Sequence, residues 1–157
     1  MFRVKANSVR EYIDFDPRRS ADLLKLDALI RKSAPGLVRY FHAGTPAGSP
    51  GMRMRMIGYG RFLYLATQGS EIEWPVLGVA LQKNYISVYL SVTKEGQPIL
   101  QAYRGALGEL RSGNNNFSFR SFDELNAGVL AELFSEAAQM FARSGQNPVH
   151  YRQRSRR

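Results

Sequence analysis

The stretch PVLGVALQKNYISVYLSV, residues 75–92, decides the fold. Two apolar runs flank Lys83-Asn84, and asparagine tolerates the positive φ that a tight turn requires. Folding the chain there predicts a β-hairpin with one aliphatic face and one mixed face. The aliphatic face pairs Leu81 with Ile86, Val79 with Val88 and Leu77 with Leu90. The mixed face pairs Gln82 with Tyr85, Ala80 with Ser87, Gly78 with Tyr89 and Val76 with Ser91.

An earlier stretch predicts a second hairpin of the same kind. MRMRMI (52–57) alternates methionine with arginine, GYG (58–60) is interpreted as a turn, and RFLYLAT (61–67) as the returning strand. With Tyr59-Gly60 as the turn, Met56 faces Leu63 and Met54 faces Leu65. On the other side Arg55 faces Tyr64 and Arg53 faces Ala66. Both hairpins therefore predict one half-buried antiparallel sheet.

Helical patterns lie on both sides of the hairpins. Asp16 is a good N-cap and Pro17 suits a first helical position; leucines at helical spacing then run to Pro35-Gly36. The other predicted elements are a short helix or turn over Ser8–Phe15, loops over 43–51 and 68–74 with Trp74 as a packed lid, a helix from Pro98 to Leu110, a strand over 117–120, and a last helix from Ser121 or Asn126 to Ser144. The predicted class is α+β: a four- to five-stranded antiparallel sheet with helices on one face, in the order α-β-β-β-β-α-β-α.

Length and composition predict one domain over residues 1–145 and a basic, disordered tail over 146–157. No apolar run is long enough for a membrane helix. We expect no secretory signal, because the first residues, MFRVKANSVREY, have no apolar core. The chain has no cysteine, which excludes disulfides, thiolate metal sites and cysteine nucleophiles. The expected location is the cytoplasm.

The net charge of +9 is unevenly distributed. Residues 33–120 carry nine Lys and Arg against four acids, and the last nine residues add four arginines and no acid. Such a tail attracts polyanions without sequence specificity, which makes non-specific nucleic-acid binding possible. The alternative is that it only keeps the protein in solution. The tail arginines are Arg152, Arg154, Arg156 and Arg157.

Residues typical of catalysis or metal binding are scarce. The two histidines, His42 and His150, have no second histidine or carboxylate at ligand spacing. No P-loop, nucleophile elbow or dinucleotide-binding glycine motif is present. The sequence therefore predicts a non-enzymatic protein with no metal and no cofactor.

The mixed face of the sheet is the predicted contact surface. Tyrosines and arginines beside glycine and alanine suit planar or anionic ligands, through stacking and charge-assisted hydrogen bonds. We expect a small anionic ligand or a protein partner there; nucleic acid, held by the tail and this face, is the alternative. The remaining interpretation is that a second copy or the 43–51 loop covers these side chains. The predicted ligand-binding residues are Arg53, Arg55, Tyr64, Tyr85, Ser87 and Tyr89.

Several motifs resemble the YdhG-like family of small bacterial proteins. They are GYG (58–60), KNYISVYL (83–90), Tyr103 with LG (107–108), FSFRSFDEL (117–125) and the run from Arg10 to Ile30. The resemblance covers residues 8–142 and implies helices packed on an antiparallel sheet.

Some members of that family are described as frataxin-like iron chaperones, so the resemblance implies iron handling as a further alternative. Iron delivery of that kind depends on clustered surface carboxylates. Here the middle of the chain is basic, and GNNNF (113–117) stands where many relatives carry a cysteine. These features argue against an iron role, which stays an alternative implied by the resemblance.

Overall fold

A six-stranded antiparallel sheet forms the centre of the molecule. The computed structural model describes residues 2–44, 54–65, 69 and 71–144, and of Tyr64, Leu65 and Ser144 only the backbone. The strand order is β1-β2-β3-β4-β8-β7, and β5 pairs with β6 in a small separate ribbon. The strands are β1 (Arg39–His42), β2 (Met56–Leu65), β3 (Glu71–Leu81), β4 (Ile86–Leu90), β5 (Thr93–Lys94), β6 (Gln97–Pro98), β7 (Arg111–Ser112) and β8 (Asn116–Phe119).

Three α-helices accompany the sheet: α1 (Val9–Asp14), α2 (Ser20–Ser33) and α3 (Ala127–Ser144). Helix α1 and the last helix lie where the sequence predicts them. Asn126 is the residue that caps α3, since its Oδ1 accepts from the Val129 N–H at 3.2 Å. Mixed helix and antiparallel sheet confirm the predicted α+β class, with more strands than expected. Among the described residues, no helix combines the length and the apolar character needed to cross a bilayer.

The hairpin of β3 and β4 has the register that the sequence predicts. Leu81 pairs with Ile86, Val79 with Val88 and Leu77 with Leu90. The Gln82 N–H donates to the Tyr85 carbonyl at 2.9 Å, which closes the predicted turn at Lys83-Asn84. Strand β8 then extends the same faces, because Phe119 pairs with Ile86 and Phe117 with Val88.

The other predicted hairpin is wrong, because Gly58-Tyr59-Gly60 lies inside β2 rather than at a turn. Met56 pairs with His42 of β1, not with Leu63. Gly60 adopts a φ of 76°, and its N–H donates to the Val38 carbonyl at 2.9 Å. The glycines therefore serve close contacts within a long strand. A turn between them would leave β1 and β3 without the strand that joins them.

Three further boundaries differ from the prediction. Residues 71–74 belong to β3 and pair with β2. Helix α2 begins at Ser20, because Asp16 instead accepts the Arg18 N–H in a turn before the helix. Only Ile99–Ala102 of the predicted Pro98–Leu110 helix is helical, as a 3-10 turn. Gly105 and Gly108 there have φ angles of 83° and 78°, which an α-helix does not allow.

The helices cover the face of the sheet that carries the predicted aliphatic pairs. Tyr59 lies beside Leu77 on that face, and its hydroxyl donates to Asp27 Oδ1 of α2 at 2.6 Å. The buried apolar side of α3 joins the same core. We call this the helix face and the opposite side the outer face. The buried residues of α3 are Leu130, Leu133, Phe134 and Ala137.

Candidate functional site

The structure divides the predicted ligand-binding residues between places. Tyr85, Ser87 and Tyr89 lie together in one pocket on the outer face. Arg55 lies elsewhere: its Nη1 donates to the Ala6 carbonyl at 2.8 Å, and it lines a different cavity. Arg53, the Tyr64 side chain and the predicted tail over 146–157, with its four arginines, lie outside the described residues.

The pocket, called here the tyrosine pocket, has a volume of about 320 Å³. It lies over β4, β8 and β7, beside the turn that joins β3 to β4. Small-molecule sites begin at about this volume. Its lining is Gln82, Tyr85, Ser87, Tyr89, Arg111, Ser112, Gly113, Asn116 and Ser118.

Two serine hydroxyls lie side by side across the pocket's two central strands. Ser87 pairs with Ser118 in the β4–β8 ladder, and their Oγ atoms are 3.2 Å apart. Both residues are almost completely buried. Each hydroxyl gives the other a hydrogen-bond partner. Two small polar side chains can therefore be buried in the sheet, where larger apolar side chains are usual.

Tyr89 supplies a protonated hydroxyl to this pocket. Burial, with the nearby Tyr85 as a smaller contribution, raises the pKa of Tyr89, although hydrogen bonds with Asn116, Gln82 and Ser87 oppose the shift. The phenol therefore stays neutral at physiological pH and remains able to donate a hydrogen bond.

Arg111 is the cation of the tyrosine pocket. Its guanidinium carbon lies 4.7 Å from the ring centroid of Tyr85, within the range of a cation–π contact. None of the lining residues is acidic. In the described part of the chain, no carboxylate forms an ion pair with Arg111. Its N–H donors are thus available to an incoming anion.

The connection before β7 holds the two residues that follow Arg111. The Glu109 carboxylate accepts from the Gly105 and Leu107 N–H groups and, at 2.8 Å, from the Ser112 hydroxyl. Burial on its own raises the pKa of Glu109, but these hydrogen bonds outweigh it and lower the pKa. Arg104 Nη2 also donates to the Gly113 carbonyl at 2.8 Å. The short strand β7 is therefore anchored at its C-terminal end.

The outer face over β1, β2 and β3 is closed, although it includes Gly78 and Ala80 of the predicted contact surface. A Cβ on Gly78 would lie 2.5 Å from Met56 Sδ, so the methionine lies directly on the glycine. A Cβ on Gly58 would lie 2.4 Å from the Tyr40 ring. The rings of His42 and Trp74 meet edge to face, with their centroids 5.3 Å apart. We call this region the closed half of the outer face.

Six residues that line the pocket are absent from the predicted ligand-binding set: Gln82, Arg111, Ser112, Gly113, Asn116 and Ser118. A usable signal was present in NFSF (116–119), where polar residues alternate with phenylalanines. That alternation places Asn116 and Ser118 on the same face as Tyr89 and Ser87. Arg111 carries no such signal, because it follows a predicted helix of which only Ile99–Ala102 forms.

Neither metal-binding groups among the described residues nor similarity to known proteins indicates what this site binds. The described residues hold no group of three or more His, Cys, Asp or Glu that could bind a metal ion. No protein-family model, curated protein or solved structure matches the chain. The YdhG-like resemblance and the iron role that it implies therefore stay predictions.

Proposed function

We propose that the chain is a non-enzymatic binding domain whose tyrosine pocket holds a small planar anion. The observation that carries this proposal is Arg111, stacked on Tyr85 at the edge of a pocket without acids. An anion gains charge-assisted hydrogen bonds from such a guanidinium. The Tyr85 ring holds the guanidinium in place, so little side-chain freedom is lost on binding.

The lining favours a ligand with polar edges. Apart from Arg111, the side chains that face the pocket end in hydroxyl and amide groups: Gln82, Tyr85, Ser87, Tyr89, Ser112, Asn116 and Ser118. Several of these groups already bond to one another, but a hydrocarbon ring would offer no partner to the Arg111 N–H groups or to the remaining lone pairs, and it would displace water from them at a cost. A heteroaromatic acid offers ring donors and acceptors to the hydroxyls and a carboxylate to Arg111. This chemistry defines the class that we propose.

Binding of orotate and of uracil tests the proposal, because the two probes share a ring and only orotate carries a carboxylate. Isothermal titration and thermal shift should show orotate binding at least roughly tenfold more tightly than uracil. Nicotinate and inorganic phosphate extend the panel toward other rings and toward a bare anion. Weak binding of phosphate and tight binding of a ring acid would support a planar ligand.

Arg111→Met should weaken orotate binding roughly tenfold or more, because it removes the charged donor and keeps most of the side-chain length. Arg120→Met is the matched control: Arg120 is also exposed and basic but does not line the pocket. Equal affinity in wild type and Arg111→Met, or no binding of any planar anion at millimolar concentration, contradicts the proposal. Tight binding of a single-stranded oligonucleotide that Arg111→Met abolishes would favour the nucleic-acid alternative.

A further inference from the structure

A second cavity of about 320 Å³ lies at the end of β3. Leu81 lines this cavity, whereas its neighbour Gln82 lines the tyrosine pocket. The Gln82 Nε2 contacts Met54 Sδ at 3.3 Å, and Met54 belongs to the second cavity. We call it the N-terminal cavity; its lining is Phe2, Arg3, Val4, Lys5, Met54, Arg55 and Leu81.

The segment before α1 builds one wall of the N-terminal cavity. Val4 and Ala6 are buried, and they alternate with Arg3 and Lys5, which are exposed. Arg55 Nη1 donates to the Ala6 carbonyl at 2.8 Å, which ties this segment to the residues just before β2. The wall is therefore held in place by burial and by a charge-assisted hydrogen bond.

The hydroxyl of Tyr12 makes two hydrogen bonds with the backbone of residues that line the cavity. It accepts from the Leu81 N–H at 2.8 Å and donates to the Arg55 carbonyl at 3.0 Å. Burial raises the pKa of Tyr12, so the phenol keeps the proton that the second bond needs. The Tyr12 hydroxyl thus bridges the last residue of β3 and the residue just before β2, and it fixes Leu81 and Arg55 relative to each other.

The charge of the lining is one-sided. Arg3, Lys5 and Arg55 are cationic, and no lining residue is acidic. A fourth cation, Arg19, lies 5.5 Å from the Phe2 ring centroid, and although it pairs with Asp16, its buried Nη2 has no hydrogen-bond partner among the described residues. Cations that share one cavity repel one another, and an anion removes that repulsion.

The rest of the lining is apolar: Phe2, Val4, Met54 and Leu81. This composition contrasts with the hydroxyls and amides of the tyrosine pocket. An apolar body against these side chains is stabilised by burial of its surface, and its charged end is stabilised by the basic side chains. Neither feature alone defines the ligand class, but together they do.

From the N-terminal cavity we infer a second binding site, for an anion with a short apolar chain, of the fatty-acid type. This site is separate from the proposed function of the tyrosine pocket. The carboxylate would contact Arg3, Lys5 and Arg55, and the chain would lie against Phe2, Val4 and Leu81.

Titration of the full chain with octanoate, octanol and acetate tests this site. Amide chemical shifts in two-dimensional nitrogen–proton spectra report where each probe binds. Octanoate should shift the Val4, Lys5 and Leu81 amides and bind at least fivefold more tightly than octanol, which has no charge, and than acetate, which has no chain. Its affinity should fall with added salt, since exposed cations are screened.

The double variant Arg3→Met and Lys5→Met should weaken octanoate binding at least fivefold. The matched control, Arg10→Met with Lys25→Met, removes the same charge from exposed residues that do not line the cavity. Equal weakening in both double variants, equal affinity for octanol, or shifts confined to other residues overturns the site. Orotate titration of the same variants should be unchanged, which separates failure here from failure of the tyrosine pocket.

Discussion

The two halves of the outer face belong to one sheet but have different surfaces. Over β1, β2 and β3, Tyr40 and Met56 lie directly on Gly58 and Gly78 and exclude other groups. Over β4, β7 and β8, the face instead forms the tyrosine pocket, lined by hydroxyl and amide side chains and Arg111. We call the second region the open half.

The difference teaches that small residues do not by themselves make a binding surface. Glycine in the closed half admits a large neighbour, and the space is filled at once. Serine in the open half is also small, but its hydroxyl favours polar neighbours over apolar ones. The pocket therefore follows from the pair Ser87–Ser118, whose hydroxyls lie 3.2 Å apart, rather than from the absence of side-chain volume.

The largest expected effect comes from filling the closed half. Gly58→Ala places a Cβ 2.4 Å from Tyr40 Cε1. This atom belongs to a rigid aromatic ring, so the whole Tyr40 side chain has to move to make room. We expect a loss of about 2 kcal/mol in the free energy of unfolding, as is typical of overpacking. Urea denaturation followed by tryptophan fluorescence measures it.

Gly36→Ala is the control for that substitution, because a Cβ on Gly36 meets no atom within 4 Å. It should leave stability unchanged or slightly raised, since alanine restricts the unfolded chain. If both variants had the same stability, Tyr40 would not lie tightly on Gly58, and the closed half would be looser than described.

A smaller effect is expected from the serines of the open half. Ser87→Ala leaves the buried Ser118 hydroxyl without this partner, and we expect a cost of about 1 kcal/mol. The double variant Ser87→Ala with Ser118→Ala removes both hydroxyls and should recover part of that loss. A double-mutant cycle on unfolding free energies isolates the coupling between them. Strict additivity would mean that the two hydroxyls do not depend on each other.

The contrast between the halves also explains what the sequence could predict. The hairpin of β3 and β4 was predicted to the residue, because Lys83-Asn84 marks the turn and alternation separates its faces. Strand β2 was misread because it is buried on both faces along Met56–Tyr59, so alternation no longer marks burial. Its glycines then resembled a turn, although tertiary contacts with Tyr40 and Val38 explain them.

The candidate site was likewise predictable only where it lies on the hairpin of β3 and β4. Tyr85, Ser87 and Tyr89 follow from the register of one hairpin. Arg111 reaches the pocket through β7, a strand of two residues whose position depends on Glu109 and on left-handed glycines. Such a connection has no periodic pattern, and only the folded chain brings Arg111 to Tyr85.

The closed half should also respond to pH through His42. Burial, opposed by Glu73 and assisted by Arg61, lowers the pKa of His42 below its usual 6.5. The unfolded chain therefore binds a proton before the folded one does. Stability from this residue is complete above pH 6.5 and decreases as the pH falls from there toward the folded pKa. His42→Gln should flatten the stability profile between pH 7 and 5, measured by urea denaturation at each pH; an unchanged slope would assign that dependence to other groups.

The smallest effect on stability is expected from filling the open half. A Cβ on Gly113 would lie 2.4 Å from Asn116 Oδ1, the end of a side chain that can rotate away. Gly113→Ala should therefore change the unfolding free energy by less than about 0.5 kcal/mol, in contrast to Gly58→Ala. Orotate affinity should nevertheless fall, because both Gly113 and Asn116 line the pocket. Loss of affinity without loss of stability is expected only where the face is open. If Gly113→Ala also lowered the unfolding free energy by about 2 kcal/mol, as expected for Gly58→Ala, the tyrosine pocket would be packed as tightly as the closed half.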